Sequence, residues 1–362
     1  MKKLDRFSRG MGIGGWLTNY KRFNVLPRDR RMVITVGDME HFRSYITEED
    51  VAYIASLGMD HIRLGFDQIV IEESPYVYRK EIVQILHGFV AWCRKYGLRP
   101  VLNMHKALGN YCDIPEECGL MQDGELQSRF VAVWAMLEEE FRGQNDVVFE
   151  LLNEVVHATA EDWNALAEKT VSAIRAKNKE RILVVGGVEW NNPPALPHVK
   201  VYEDENIIYT FHCYAPHEFT HQRGVLKAPH LFYNRDMPYP GDVEYYRDYR
   251  RFFGEKETYE GIERIDIHYL RSCMQAAYDF VAAHPDKILY CGEFSVLRHV
   301  PLEWRENWLN DVIKLLKELD APYSVWNYLS TPNDGNKSSL VDDDHRRILS
   351  ERLRQIINGN VI

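Results

Sequence analysis

The sequence predicts an α/β fold, an eight-stranded (β/α)8 barrel, and three observations predict it. Short apolar runs rich in β-branched and aromatic residues alternate about eight times with longer runs of helical period, as expected of βαβ units closing a parallel sheet. The 362 residues are 45% hydrophobic and 27% charged, which suffices for one large core, and barrels of this kind commonly exceed about 250 residues. Two glutamates, Glu154 in Glu150-Leu151-Leu152-Asn153-Glu154 and Glu293 in Leu289-Tyr290-Cys291-Gly292-Glu293-Phe294, each follow a run that reads as a buried strand. Residues just past strand ends in such a barrel share one cleft at its C-terminal face.

The predicted strands are residues 12–16, 61–66, 100–104, 147–152, 182–186, 207–214, 288–292 and 323–326. Helices are expected at 47–57, 79–96, 124–142, 160–177, 265–284, 303–318 and 345–356. Thr47-Glu48-Glu49-Asp50 supplies a hydroxyl cap and acids near the positive end of the helix dipole, while Leu57-Gly58 and Tyr96-Gly97 are stop signals. The helix after the fifth strand is poorly defined beyond the Pro193-Pro194 break. Between strand six and helix six, residues 215–264 form a long excursion rich in Tyr, Arg, His and Pro, helix-like over 243–253. A connection that long reads as a lid or small subdomain. No repeat, low-complexity run or linker is seen, so residues 1–362 are read as a single catalytic domain carrying one excursion.

The net charge of -10 argues against nucleic acid and anionic membranes as partners, and a monomer or weak homo-oligomer is expected. The basic start, Met1-Lys2-Lys3, is not followed by an apolar stretch, which predicts a cytoplasmic protein. Six cysteines lack a CxxC pair; Cys213 and Cys291 fall in predicted strands as small buried thiols. Cys112 and Cys118 flank a loop and are expected not to pair in a reducing compartment.

Two carboxylates in one cleft are the minimum apparatus for cleaving a glycosidic bond, one as acid and one as nucleophile or base. Asn153 beside Glu154 suits a hydrogen bond to a sugar hydroxyl, although a strand-end Asn-Glu also suits a helix cap. Gly292 leaves Glu293 room to reach an anomeric carbon; a surface glutamate on a βα loop is the plainer reading. Arg63 lies in an apolar strand and requires a buried anion, which Glu293 can supply and be kept ionised by; a structural salt bridge is compatible with this. His105 ends strand three, and His212 and Tyr214 end strand six, where they can position Glu154 and hydrogen-bond Glu293 respectively. Trp326 ends strand eight as a floor for the reacting sugar. Trp16, Asn19, Trp190 and Asn327 lie near strand ends as sugar-binding candidates, with core or solvent positions equally open. His212, His217 and His221 cluster in sequence but span a strand end and a loop without an acidic trio, so no metal and no organic cofactor is expected. No GxGxxG after a strand, phosphate loop or GxSxG elbow occurs, which removes nucleotide cofactors and serine hydrolysis.

These residues resemble glycoside hydrolase family 5, the retaining cellulase and mannanase family. The resemblance runs through Gly14-Gly15-Trp16, Asp60-His61-Ile62-Arg63-Leu64, Asn103-Met104-His105, Leu152-Asn153-Glu154, Thr210-Phe211-His212-Cys213-Tyr214, Tyr290-Cys291-Gly292-Glu293-Phe294 and Val325-Trp326-Asn327-Tyr328. Within the family the chain is similar to the cellulase C type of endoglucanase, through Tyr45-Ile46-Thr47-Glu48-Glu49-Asp50 and Phe219-Thr220-His221-Gln222, and that type carries a subdomain after strand six. The resemblance implies a (β/α)8 barrel, Glu154 as acid/base, Glu293 as nucleophile, and β-1,4-glucan or mixed-linkage β-glucan as substrate. Many members have His where this chain has Lys106, and that endoglucanase type is more aromatic at Ala215-Pro216-His217-Glu218. The β-glycan preference and endo or exo mode therefore stay open, with mannan or an exo-acting β-glycosidase as alternatives. A carbohydrate-binding protein without turnover is the alternative of another class, and the two intact carboxylates speak against it.

Overall fold

The computed structural model describes residues 4–18, 33–112, 117–256, 259–332 and 334–361. All eight predicted runs become parallel strands of one closed barrel: β1 (Arg9–Leu17), β2 (His61–Asp67), β3 (Arg99–Lys106), β4 (Val148–Glu150), β5 (Leu183–Val185), β6 (Ile207–His212), β7 (Ile288–Glu293) and β8 (Tyr323–Val325). Neighbours in sequence are neighbours in the barrel, and β8 closes on β1. β4 and β6 are shorter than predicted, yet bonding to adjacent strands continues past them. Leu151 N donates to Val184 O, Asn153 N to Met104 O and Cys213 N to Glu293 O, at 2.9–3.1 Å. Asn153 and Glu154 are thereby held at the rim.

Strand alternation divides the side chains into two cores. Val101, Val148, Val184, Ile208, Ile288 and Tyr290 form the inner core with Phe7, whose ring stacks on His61 at 4.5 Å. The outer core joins the strands to the helices: α1 (Val36–Ser44), α2 (Glu48–Ser56), α3 (Lys80–Lys95), α4 (Gly124–Glu140), α5 (Ala160–Arg175), α6 (Ala228–Tyr233), α7 (Glu244–Phe252), α8 (Ile267–Cys273), α9 (Gln275–Ala283), α10 (Leu302–Glu318) and α11 (Glu351–Ile357). Thr47 and Asp50 form the expected capping box at α2. After β5 the chain makes only two short 3-10 segments, Glu189–Asn191 and Pro193–His198, with Pro197 inside the second.

Two predicted helices need correction. The helix expected at 265–284 is two helices, broken at Met274, which ends α8 and begins α9 with φ -96° and ψ 8°. The helix expected from 345 begins only at Glu351. The Asp342 carboxylate accepts from the backbone N–H groups of Asp344, His345 and Arg347 at 2.6–3.2 Å, a local alternative to helical bonding, and Ser350 caps α11 instead.

At the N-terminal foot of the barrel, fully buried Arg181 donates to both oxygens of Glu138 at 2.7 and 3.1 Å. It also donates to the carbonyls of Gln144, Val147 and Phe141 at 2.5–2.8 Å. Nearby, His61 bonds Asp60 at 2.8 Å and the Tyr290 hydroxyl at 3.1 Å. Among the described residues no helix is long and apolar enough to cross a membrane.

Between β6 and α8 the chain builds a one-turn helix, His217–Thr220, then α6 and α7, with Gly241–Asp242 and Arg264–Ile265 paired antiparallel. Three histidines tie these pieces together. His217 and His221 stack with ring centroids 3.8 Å apart, and His217 Nδ1 lies 2.7 Å from His230 Nε2 on α6. The Tyr249 hydroxyl on α7 hydrogen-bonds His230 Nδ1 at 3.0 Å. Tyr239 OH donates to Asp311 on α10 at 2.7 Å, fastening the segment to the barrel's helical layer.

Candidate active site

Arg63, inward on β2, is the hub of the mouth and is fully buried. Its Nε and Nη2 grip both oxygens of Glu150 at 2.6 and 2.7 Å. Nη2 also donates to Asn153 Oδ1 at 2.6 Å, and Nη1 donates to Glu293 Oε1 at 2.6 Å. The buried anion expected for Arg63 is thus two anions, and Glu150 takes the bidentate grip.

Glu293 sits where β7 bulges against β6, between Cys291 and Glu293, and a bulge re-aims a side chain. Its second oxygen accepts from the Tyr214 hydroxyl at 3.0 Å. At Gly292 a Cβ would meet Thr210 Oγ1 at 2.8 Å, so the close approach expected of this glycine has a physical reason. Glu154 lies beside Glu293, and one nitrogen of His212 faces both: Nδ1 is 2.9 Å from Glu154 Oε1 and 3.9 Å from Glu293 Oε2. An oxygen from each glutamate and a His212 nitrogen all lie within 4.8 Å of one another. Asn110 clasps the backbone here, donating to Glu154 O at 2.7 Å and accepting from Val156 N at 3.2 Å.

The electrostatics separate the groups. Burial pushes the Glu293 carboxyl above the ordinary glutamate range; His212 and Arg63 pull it down and Glu154 pushes it up. Arg63 acts on Glu293 in the expected direction, but burial outweighs it, and its guanidinium is shared with Glu150. Burial pulls His212 down to about 4 and His105 well below the ordinary range, so both are neutral near pH 7. Tyr214 is pushed well above its ordinary value by burial and by Glu293 and Glu154, so it remains a donor.

His105 and Trp326 stack nearly parallel, 7° and 5.2 Å apart, forming an aromatic floor. A Cβ at Gly12 or Gly14 would lie 2.6 or 2.5 Å from the Trp326 indole, so these β1 glycines make room for it. Asn327, also buried, follows Trp326 and accepts a hydrogen bond from Ser330 Oγ at 3.4 Å. Trp190 is exposed and sits in a run of three left-handed residues, Glu189, Trp190 and Asn191, with φ of 54–59°. Such conformations cost roughly 1–3 kcal/mol each and persist only where surroundings enforce them. Asn191 accepts from Gly187 N at 2.9 Å, and the Trp190 indole N–H donates to Cys112 O at 2.7 Å.

Trp16 does not reach the mouth. It is buried against Phe89 and Trp92, and its indole N–H donates to Phe42 O at 2.7 Å. Strict alternation would put it on the face of Gly12 and Gly14. The β1–β2 register shifts between Ile13 and Leu17, with Gly15 at φ 70°, and the parity flips. Asn19 lies outside the described residues. All six cysteines, Cys112 and Cys118 included, are thiols.

For a metal, the compact set of three donors among the described residues is Glu154, His212 and Glu293. The Arg63 guanidinium against Glu293 opposes a dication there. His217 and His221 instead stack on each other beside His230, and His221 meets the Tyr214 ring edge-on at 5.2 Å.

Glu150 and Asn110 are the contributors that sequence reasoning passed over. Glu150 left one signal, a charge inside the apolar run 147–152 at inward parity with Val148.

The sequence profile of the family described as Cellulase (glycosyl hydrolase family 5) matches residues 29–331. Endoglucanase C of Acetivibrio thermocellus is 34% identical over 327 residues, covering 89% of this chain and 91% of that protein. Cellodextrinase A of Ruminococcus flavefaciens is 28% identical over 323 residues, covering 88% and 84%. A solved hyperthermophilic endo-β-1,4-glucanase, in complex with substrate, superposes with a TM-score of 0.73 over 98% of this chain and 97% of its own. At 22% identity that likeness speaks to the fold alone.

Proposed function

We propose that this chain, which belongs to the cellulase family (glycosyl hydrolase family 5) and is a glycoside hydrolase, is a retaining β-glucanase cleaving β-1,4 and mixed-linkage β-glucans. The observation that carries the mechanism is the proximity of the two carboxylates, an oxygen of each within 4.8 Å, in unlike settings. A retaining pair is about 5–5.5 Å apart between carboxyl groups, and an inverting pair about 6.5–9.5 Å.

In the first step the Glu293 carboxylate attacks the anomeric carbon and forms an ester. The bond to the departing oxygen breaks, and that oxygen takes its electron pair and the proton of Glu154. In the second step Glu154 removes a proton from water, which attacks the same carbon and returns Glu293 as carboxylate. His212 suits both states of Glu154: its Nδ1 accepts from the acid, or donates to the carboxylate when the ring proton resides there. Arg63 and Tyr214 keep Glu293 aimed, and Asn153 is assigned the sugar 2-hydroxyl. Trp326, backed by His105, floors the reacting subsite, with Asn327 beside it, and the exposed Trp190 ring serves the leaving-group side. The segment 215–264 walls one side of the groove and sets glycan length preference. A cytoplasmic place of action and a monomeric or weakly associated state belong to the same proposal.

Proton NMR of fresh product from barley β-glucan tests the mechanism: β-anomer is expected first, and α-anomer first would overturn retention. A panel of β-glucan, carboxymethylcellulose, mannan and cello-oligosaccharides tests the substrate. A second reading, action on short cello-oligosaccharides from one end, is favoured by the likeness to a protein named cellodextrinase A. Release of cellobiose from oligosaccharides, with polymer left at full viscosity, would select it.

A further inference from the structure

We infer that Glu150 is a positioning residue for the nucleophile: it fixes the plane of the Arg63 guanidinium and withholds part of that cation's charge from Glu293. The inference rests on the retaining reading above and adds a residue that neither faces the cleft nor touches the two reacting carboxylates.

The geometry carries it. Glu150 is fully buried at the end of β4, and its two oxygens accept from Arg63 Nε and Nη2 at 2.6 and 2.7 Å. A bidentate grip fixes the guanidinium plane as well as its position. With the plane fixed, the remaining N–H groups have fixed aims: Nη1 at Glu293 Oε1 and Nη2 at Asn153 Oδ1, each at 2.6 Å. One buried side chain thus sets the direction of bonds to two active-site groups on two strands.

The charges follow from the same arrangement. Groups acting on Glu293 are Arg63 from β2, Glu154 after β4, and His212 and Tyr214 from and after β6, while Glu150 from β4 acts on Arg63, and Lys106 on β3 acts on His105. Both histidines are neutral near pH 7 and Tyr214 is a phenol, so Arg63 is the cation bonded to Glu293 and Glu150 the anion facing Arg63. An Arg63 free of Glu150 would hold Glu293 as a tightly paired, inert carboxylate. Sharing the guanidinium leaves Glu293 more basic and more nucleophilic, in the same direction as the upward displacement that burial imposes on it.

Glu150→Gln keeps the shape and removes the charge. The acidic limb of kcat/KM for a small aryl β-glucoside is expected to move down by about one pH unit. The kcat is expected to fall ten-fold or more, with KM within about two-fold. A limb that stays in place or moves up overturns the inference, as does an unchanged kcat; a merely structural residue would lower the melting temperature alone. Should the Gln variant fail to fold, Glu150→Asp keeps the charge but shortens the grip. Its kcat is then expected to fall about ten-fold at constant KM, and a wild-type kcat overturns the inference. A wild-type enzyme inactive on every β-glycan would overturn the hydrolase reading; an active one with an unmoved limb overturns only the role of Glu150.

Discussion

Arg63 and Arg181 are both fully buried at opposite ends of one barrel, and their partners differ in kind. Arg181, at the foot, holds one carboxylate, Glu138, and three backbone carbonyls, so its charge is balanced one to one and its donors meet fixed acceptors. Arg63, at the mouth, is shared between Glu150 and Glu293, with Glu154 close beside Glu293. The mouth therefore carries more negative charge than its buried cation offsets, and Glu293 is displaced upward, chiefly by burial and further by Glu154. Residues of one type make a clamp at one end and a chemically poised group at the other, and the number of acids per arginine decides which.

The largest effect expected is at the mouth. Glu293→Gln should lower turnover of β-glucan on the order of 10⁴-fold or more, since an amide cannot form the glycosyl ester. Glu154→Gln should lower polymer turnover by about 10²–10⁴-fold while sparing the first step on activated aryl glycosides, which need little protonation. Neither change should lower the melting temperature much, because each reduces crowded negative charge. Steady-state kinetics beside calorimetry checks both halves, and near wild-type polymer turnover in either variant would remove the assignment.

Arg181→Met makes the opposite break. It leaves Glu138 buried without its cation and should cost about 3–5 kcal/mol of stability. The kcat measured on the folded fraction should stay within about two-fold. Urea unfolding with parallel assays reads this out, and a large kcat loss would mean that the foot is coupled to the chemistry.

A smaller effect is expected in the segment after β6. Burial holds His217 well below the ordinary histidine range, His221 at about 3 and His230 at about 4. Because the folded-state values are depressed, the unfolded segment binds more protons at intermediate pH. The stabilisation is full above pH about 6.5 and is lost as pH falls toward about 4. The neighbouring Lys227 and Arg250 oppose protonation further, while Glu255 partly offsets them. Hydrogen exchange, corrected for intrinsic rates, should show α6 and α7 losing protection between pH 7 and 4.5 before the barrel strands do. Simultaneous loss in both regions would make the segment one cooperative unit with the barrel.

Much of this was legible in the residues. Buried parallel strands announce themselves as apolar runs, and each predicted run became a strand because the barrel needs all eight. The rim carboxylates were legible because strand ends are legible. Glu150 was not, because a charge inside a strand reads as one more residue until its partner is known; Arg63 posed the question without naming the answer. Trp16 was misplaced because alternation assumes an unbroken ladder, and no residue type marks the register shift beyond a glycine among several. The break at Met274 carries neither Pro nor Gly to announce it. Asp342 removed the first turns of the last predicted helix through bonds that propensity does not count.

The shift at Gly15 has a consequence for how the molecule can change over time. It changes which face of β1 the odd and even positions serve. Gly12 and Gly14 answer to the indole of Trp326, which leaves no room for a Cβ there, whereas Trp16 joins Met11 and Ile13 in the outer core and answers to Phe89 and Trp92 on α3. A substitution that reshapes the sugar floor need not be matched by one in the helical layer, and repacking that layer leaves the floor where it was. One strand thus serves two surfaces that can drift apart in sequence without negotiating with one another.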